Sequence, residues 1–475
     1  MYEPVIGLEV HAQISTKTKM FCRCSNDSFG AQPNMNVCPV CMGFPGQLPV
    51  LNVVAVEKAL VAACALHLNI PAFSKFDRKN YFYPDLPKGF QISQYDKPVS
   101  SNGFLEILVE GRVRKIMINR LHLEDDAGKL THVKSGTLCD YNRSGAPLME
   151  IVSEPDLRSI AEAATYAQEL RRILRYIGAS DCDMEKGMMR FDINVSVRKK
   201  GVETLGTKVE VKNLNSFRSL EKALDYEIKR QTEAVSKGEK IFQETRGWDD
   251  VKELTVSQRG KEEAHDYRYF PEPDLPPLTF VPERIEALKK EVIELPLARR
   301  LRFIEMYGLT ETESEILTED FGMAQYFEDA AKVSGDARKA AAFINTVLLK
   351  HLNADSKGLD GNTVTARQLG DLLRLVEEGV ISNNQAKGEI FEAMYATGKD
   401  PAVIIDEKGL QQVSDSGEIE KIVREVIAAH AGPVADFKSG KAQALGFLVG
   451  QVMQKSKGKA NPKMVNEILK KMLSV

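Results

Sequence analysis

The strongest constraint on this chain is a change of hydrophobic period, marked by a run of prolines. Pro271-Glu-Pro273-Asp-Leu-Pro276-Pro277, followed by Pro282, makes a rigid boundary, because proline fixes φ and removes an amide donor. Before it, apolar and polar residues alternate in segments 5–14, 104–112, 114–123, 189–197 and 207–211, the pattern of half-buried strands. Helical spacing interrupts them in 53–68, 159–178 and 219–236. Beyond about residue 284 only the helical period remains, punctuated by Gly and Asn. Repeated βαβ units are missing, so the predicted fold is α+β. A strand-rich domain is expected over residues 1–294, a helical middle domain over 295–400, and a helical C-terminal domain over 401–475 after the break at Lys399-Asp-Pro401.

Charge sharpens this division. The net charge of −3 excludes a polycation, yet the segment from Asp436 to the end carries eight lysines against two acids. That is a basic appendage on a mildly acidic body. The longest apolar run, 59–66, is far short of the roughly 20 residues of a membrane span, so no membrane association is expected. Met1 is followed by an acidic, strand-like segment and not by a leader pattern, which points to the cytoplasm.

An odd total of seven cysteines argues against a disulfide framework. Four are patterned: Cys22 and Cys24, then thirteen residues, then Cys38 and Cys41 as Cys-Pro-Val-Cys. Two short-spaced thiolate pairs suit tetrahedral zinc, and four sulfurs leave no open position, so the ion is expected to be structural. The alternative is four unrelated loop cysteines.

Three strands break the rule of burying one apolar face and wetting the other. Glu9, His11 and Gln13 share a face, as do Arg190, Asp192, Asn194 and Ser196, and as do Lys208, Glu210 and Lys212. Solvated sheet faces favour Thr, Lys and Glu; this mixture of Glu, His, Arg, Asp, Asn and Lys suits a polar cavity better. Acid clusters at Glu124-Asp125-Asp126 and around Glu150 and Glu154 supply further oxygen ligands. Such donors with one histidine suit Mg²⁺ carrying phosphates, and Mn²⁺ equally. Neither a P-loop nor a dinucleotide glycine motif is present, but a basic, aromatic loop from Lys75 to Gly89 offers Lys79 and Lys88 to a nucleotide.

Val5-Ile-Gly-Leu-Glu-Val-His11, the segment from Lys75 to Pro84, Glu154-Pro-Asp156, Lys212-Asn-Leu-Asn215 and Asp266-Tyr-Arg-Tyr-Phe-Pro-Glu-Pro273 together resemble the B subunit of the aspartyl/glutamyl-tRNA amidotransferases. The tail is similar too, through Gly446-Phe-Leu-Val-Gly450 and Lys457-Gly-Lys-Ala-Asn-Pro462. The resemblance implies a cradle domain that binds ATP and Mg²⁺. It phosphorylates the side-chain carboxylate of glutamate on tRNA(Gln) or aspartate on tRNA(Asn), and ammonia then displaces the phosphate. It also implies a heterotrimer with an amidase (glutaminase) partner, the ammonia source, and with a small third subunit. The C-terminal YqeY-like helices would grip the tRNA, here through Lys455, Lys457, Gly458 and Lys459. The implied Mg²⁺ ligands are Glu9, His11, Glu150 and one acid of Glu124-Asp125, where motif matching favours Asp125 and strand phase favours Glu124. No glutaminase constellation is visible in the chain, so ammonia must come from elsewhere. The rival reading is a zinc-containing tRNA-binding scaffold without catalysis.

Overall fold

The computed structural model describes residues 2–260, 267–411, 416–439, 441, 443–456, 460 and 462–473. The alternating segments become an eight-stranded sheet. Its strands are β1 (Tyr2–Gln13), β2 (Ser100–Val109), β3 (Arg112–Asp125), β4 (Pro147–Ser153), β5 (Met189–Lys199), β6 (Val209–Leu214), β7 (Glu244–Asp249) and β8 (Leu254–Gly260). Their spatial order is β8-β7-β6-β5-β1-β4-β3-β2, which puts the N-terminal strand near the middle. Neighbours run antiparallel except β6 and β7, a parallel pair that requires a helical crossover.

Helices α1 (Val53–Ala65), α2 (Ile160–Tyr176) and α3 (Phe217–Ser236) are started by side-chain caps from Asn52, Ser159 and Ser216. Leu8, Val10, Ile193 and Val195 of the sheet share one core with Tyr166 and Leu170 of α2 and Leu220 and Leu224 of α3. Period two then decides the rest. Met149 and Ile151 face this core, so Glu150 faces away; Leu121 and Leu123 face it, so His122 and Glu124 face away.

The proline run is not a linker. Phe270–Pro271 forms the edge of a three-stranded sheet with Asp77–Asn80 and Phe90–Ser93, where proline is tolerated. Arg78 grips buried Glu272 bidentately, through Nε at 2.7 Å and Nη2 at 2.9 Å. The first compact unit therefore continues past the prolines to Arg299, and the second begins at Arg300.

The second unit is helical throughout its described residues and has two cores. One gathers Phe303, Phe327, Phe343, Leu372 and Phe391, and includes Ile404 and Ile405. The helix Pro401–Lys408 thus packs with the middle segment; its proline occupies the first turn, where the missing amide costs nothing. The other core joins Ile419, Val423, Leu448, Val452, Val465 and Leu469. No helix among the described residues is long and apolar enough to cross a membrane.

Candidate functional site

Strand register builds the site. His122 on β3 pairs with Glu150 on β4, Glu150 with His11 on β1, and His11 with Arg190 on β5. One row across four strands therefore reads His, Glu, His, Arg. Glu150 Oε2 lies 3.2 Å from His11 Nε2 and 3.3 Å from His122 Nε2. Glu124, two residues along β3, brings Oε2 to 3.8 Å from His122 Nε2 and accepts a hydrogen bond from Ser93 Oγ at 3.3 Å. His11, Glu124 and Glu150 are all buried, and one ligand atom from each lies within 4.8 Å of the others.

Burial opposes every charge here, and mutual pairing overcomes it. Burial lowers His122, but Glu150 and Glu124 outweigh it and raise the imidazole to about 9. Burial and Arg190 likewise oppose protonation of His11, and Glu150 and Glu124 prevail. Glu150 is pushed up by burial but held well below the usual carboxyl range by the two histidines. The Nδ1 atoms of His11 and His122 are buried without hydrogen-bond partners. Two carboxylates and an imidazole at this separation fit a hard divalent cation.

A second group adjoins the first. Glu9 pairs across the sheet with Asp192, and Asn194 with Glu210, so ligand atoms of Glu9, Asp192 and Glu210 also converge within 4.8 Å. The β5–β6 register shifts between Phe191 and Ile193, where β6 takes one extra residue between Val211 and Leu214, a bulge in the strand that carries Glu210 and Lys212. Asn194 Nδ2 donates to Glu9 Oε1 at 2.7 Å. Lys212 Nζ sits 3.3 Å from Asp192 and 3.2 Å from Glu210. Burial raises the Glu9 carboxyl, and Glu150 adds to the effect.

The remaining predicted residues separate. Asp125 is not brought into the carboxylate–imidazole group. It is in phase with Leu121 and Leu123, accepts the Ile92 amide at 2.8 Å and is ion-paired with Lys88. The expectation that Asp125 joins His11 and Glu150 is therefore corrected: strand phase sends Glu124 to that face. Lys88 and Asp125 instead line a cavity of about 280 Å³ beside the cysteine loop. Arg190 is held by Asp126, Nη1 to Oδ1 at 3.2 Å. Lys79 is kept protonated against burial by Glu124 and neighbouring groups including Glu150, and lies 5.0 Å from the Tyr267 ring. Lys208 is exposed, one residue before β6. Lys455 is exposed and paired with Glu425 at 2.7 Å, whereas Lys457, Gly458 and Lys459 lie outside the described residues.

Cys22, Cys24, Cys38 and Cys41 converge with ligand atoms within 4.8 Å of one another. The Cys38 amide donates to Cys41 Sγ at 3.2 Å, and buried Lys19 places Nζ 3.8 Å from the same sulfur. The Cys41 thiol is lowered to about 4, first by the hydrogen bond from Cys22. Gly43, with φ +68°, closes the loop against Lys88, whose Cα would be 2.9 Å from an added Cβ. Sequence reading placed His122 beside Glu124 by strand phase but left it out of the site, and it passed over Lys19 and Ser93. Only His122 left a signal, its period-two spacing from Glu124.

A twisted sheet with helices on its apolar face and a buried acid–imidazole surface on the other defines a catalytic domain, carried with a separate helical unit. Residues 4–286 match the model of the GatB/GatE catalytic domain and residues 325–473 that of the GatB domain; the chain belongs to this family. It is 51% identical over 478 residues to the B subunit of the aspartyl/glutamyl-tRNA(Asn/Gln) amidotransferase of Carboxydothermus hydrogenoformans, covering 100% of this chain and 99% of that protein. It is 52% identical over 473 residues to the protein of the same description from Thermodesulfovibrio yellowstonii, covering 99% of each.

Proposed function

We propose that this chain is the subunit of a glutamine-dependent tRNA amidotransferase that activates and amidates a mischarged aminoacyl-tRNA. It is an ATP-dependent carbon–nitrogen ligase acting within a multisubunit complex. The side-chain carboxylate of glutamate on tRNA(Gln), or of aspartate on tRNA(Asn), attacks the γ-phosphate and ADP leaves. Ammonia then attacks the activated carbonyl and inorganic phosphate leaves. In this reading ammonia arrives from an amidase partner, a small third chain completes a heterotrimer, and the assembly works in the cytoplasm.

The observation that carries the reading is the buried row His122, Glu150, His11 with Glu124 beside it, inside the part of the chain that matches the catalytic-domain model. His11, Glu124 and Glu150 would hold Mg²⁺ or Mn²⁺, with Glu9, Asp192 and Glu210 as the neighbouring acidic subsite. The cation, when bound, neutralises the oxygens of the phosphoryl group in flight. The chain's own residues do the rest. His122 holds a proton against Glu150 and fixes its orientation. Lys79 offers a positive charge close to Glu124 and Glu150, where an incoming anion needs compensation. Lys212, Arg190 and Asn194 orient the carboxylates around them and, with Lys88 and Lys208, are the candidates for nucleotide contacts. The four cysteines would hold a structural zinc.

The test uses the assembled complex with ATP, glutamine and either Glu-tRNA or Asp-tRNA. His11→Ala and Glu150→Ala should each abolish ATP-dependent amide formation while glutamine hydrolysis by the partner continues. Wild-type amidation by either variant removes the site from the reaction.

A further inference from the structure

Lys79 sits at the inner end of a chain of aromatic rings. Its Nζ lies 5.0 Å from the Tyr267 centroid and 5.8 Å from Tyr81. Tyr267 meets Tyr81 edge-on at 5.7 Å and Tyr269 at 6.2 Å. Tyr269 stacks on Tyr95, with centroids 4.4 Å apart and planes 11° from parallel. The outer ring is open: Tyr95 is 62% exposed. Exposed Phe82, Tyr83 and Phe270 lie in the same two sequence segments. Both segments stood out in the sequence, and neither the metal cluster nor the cysteine loop uses these rings.

Two near-parallel tyrosines with a face open to solvent form a stacking surface that accepts a nucleobase without reading its sequence. The inner end indicates what the base carries. Lys88 is committed to Asp125, Arg78 to Glu272, Arg190 to Asp126, and Lys212 to Asp192 and Glu210. Lys79 is close enough to feel Glu124 and Glu150 but hydrogen-bonds to neither. Lys79 presents one ammonium at the inner end, which suits a single carboxylate better than a triphosphate. An open outer face suits a chain end whose remainder continues into solvent.

We propose that the Tyr95–Tyr269 face stacks the unpaired 3′-terminal purine of the RNA, and that the aminoacyl group esterified to that nucleoside runs past Tyr267 to place its carboxylate on Lys79. The inference rests on the amidotransferase reading and adds the subsite that holds the acceptor end.

The experiment uses the assembled complex and charged tRNA with 2-aminopurine in place of the terminal adenine, whose fluorescence is quenched on stacking. Tyr95→Ala should raise the KM for charged tRNA about 10-fold, within a range of roughly 5- to 150-fold for one lost stacked base. It should abolish the quenching and leave the KM for ATP unchanged. Tyr95→Phe should behave as wild type, and Tyr95→Leu, which keeps apolar bulk without a π face, should follow Tyr95→Ala. Unchanged quenching and tRNA KM in Tyr95→Ala and Tyr95→Leu overturn the proposal. So does a rise confined to the KM for ATP, which would give the face to the adenine of the nucleotide. A wild-type complex that makes no amide at all defeats the functional reading instead, so the two failures are distinct.

Discussion

Glu124 and Asp125 are adjacent in sequence and have opposite structural duties, so paired substitutions separate ligand from scaffold. Asp125 is 3% exposed, accepts the Ile92 amide at 2.8 Å and neutralises Lys88. Asp125→Asn keeps an acceptor for the amide but strands a buried ammonium. Breaking a buried pair costs about 3–5 kcal/mol. With the amide bond retained, about 3 kcal/mol is expected, which in a unit of this size lowers Tm by roughly 6 °C. Glu124 bonds to Ser93 and faces a histidine that keeps Glu150 as partner, so Glu124→Gln should cost only about 1–2 kcal/mol. Its effect falls on the chemistry: with one ligand of the proposed cation lost, amide formation should slow about 100-fold or more. Thermal unfolding of the isolated protein and Mg²⁺ titrations of amide formation by the complex measure both. If Asp125→Asn alters the Mg²⁺ requirement at an unchanged Tm while Glu124→Gln keeps wild-type turnover, the strand-phase argument is wrong.

Cys41→Ser should release zinc and loosen residues 21–43, read by metal analysis and limited proteolysis, with a smaller effect on turnover than Glu150→Ala; protein purified without chelators that holds no zinc contradicts the knuckle. Burial pushes the Cys182 thiol up to about 11, so the neutral form persists through pH 8 with roughly one thiolate in a thousand. Alkylation of the native protein at Cys182 should be negligible at pH 8 and appear only at high pH or on unfolding; rapid labelling at pH 8 by mass spectrometry refutes this. Lys457→Ala with Lys459→Ala should weaken tRNA binding and reduce the slope of log affinity against log salt by roughly two. An unchanged slope moves the grip elsewhere. Point substitutions are preferred to truncation, because Leu448, Val452 and Val465 belong to the C-terminal core.

What could be read in advance was what one strand or one helix decides alone. The polar faces of β1, β5 and β6 follow from period two, and the cap of α2 sits at Ser159, which opens its periodic run; α3 begins at its Ser216 cap, three residues before the run that spacing marks. β4 escaped because Pro147-Leu-Met-Glu-Ile-Val-Ser is nearly all buried, so its alternation is erased and Glu150 reads as part of an acid cluster. β7 and β8 escaped for the opposite reason: β8 is the edge strand and β7 lies next to it, and charged residues and Gly247 mask the pattern. The Glu124–Asp125 ambiguity resolved in favour of phase, because a strand next to a packed core has no freedom to turn one residue over. Lateral partners were not legible. Nothing local in His11 or Glu150, 139 positions apart, says that β4 will lie beside β1. The proline run marks rigidity without saying its kind, because rigidity looks the same in a linker and in an edge strand; the buried Glu272 inside it, meeting Arg78, makes the difference.

The balance of charge on the polar face gives the site an order of events. Glu124 and Glu150 face two imidazoles, whereas Asp192 and Glu210 share Lys212, with Arg190 and Lys208 also acting on Asp192 and Glu210, and Glu9 has the Asn194 amide. That second group gathers three carboxylates around the Lys212 ammonium, and burial raises Glu9, with Glu150 adding to the effect. The carboxylates of this second group would oppose a phosphate drawn close to them, with little water to screen the charge. Lys79 offsets one charge and cannot offset all of them. In the proposed reaction these acids would draw a divalent cation in first, and that cation would then make the face favourable for an anionic substrate.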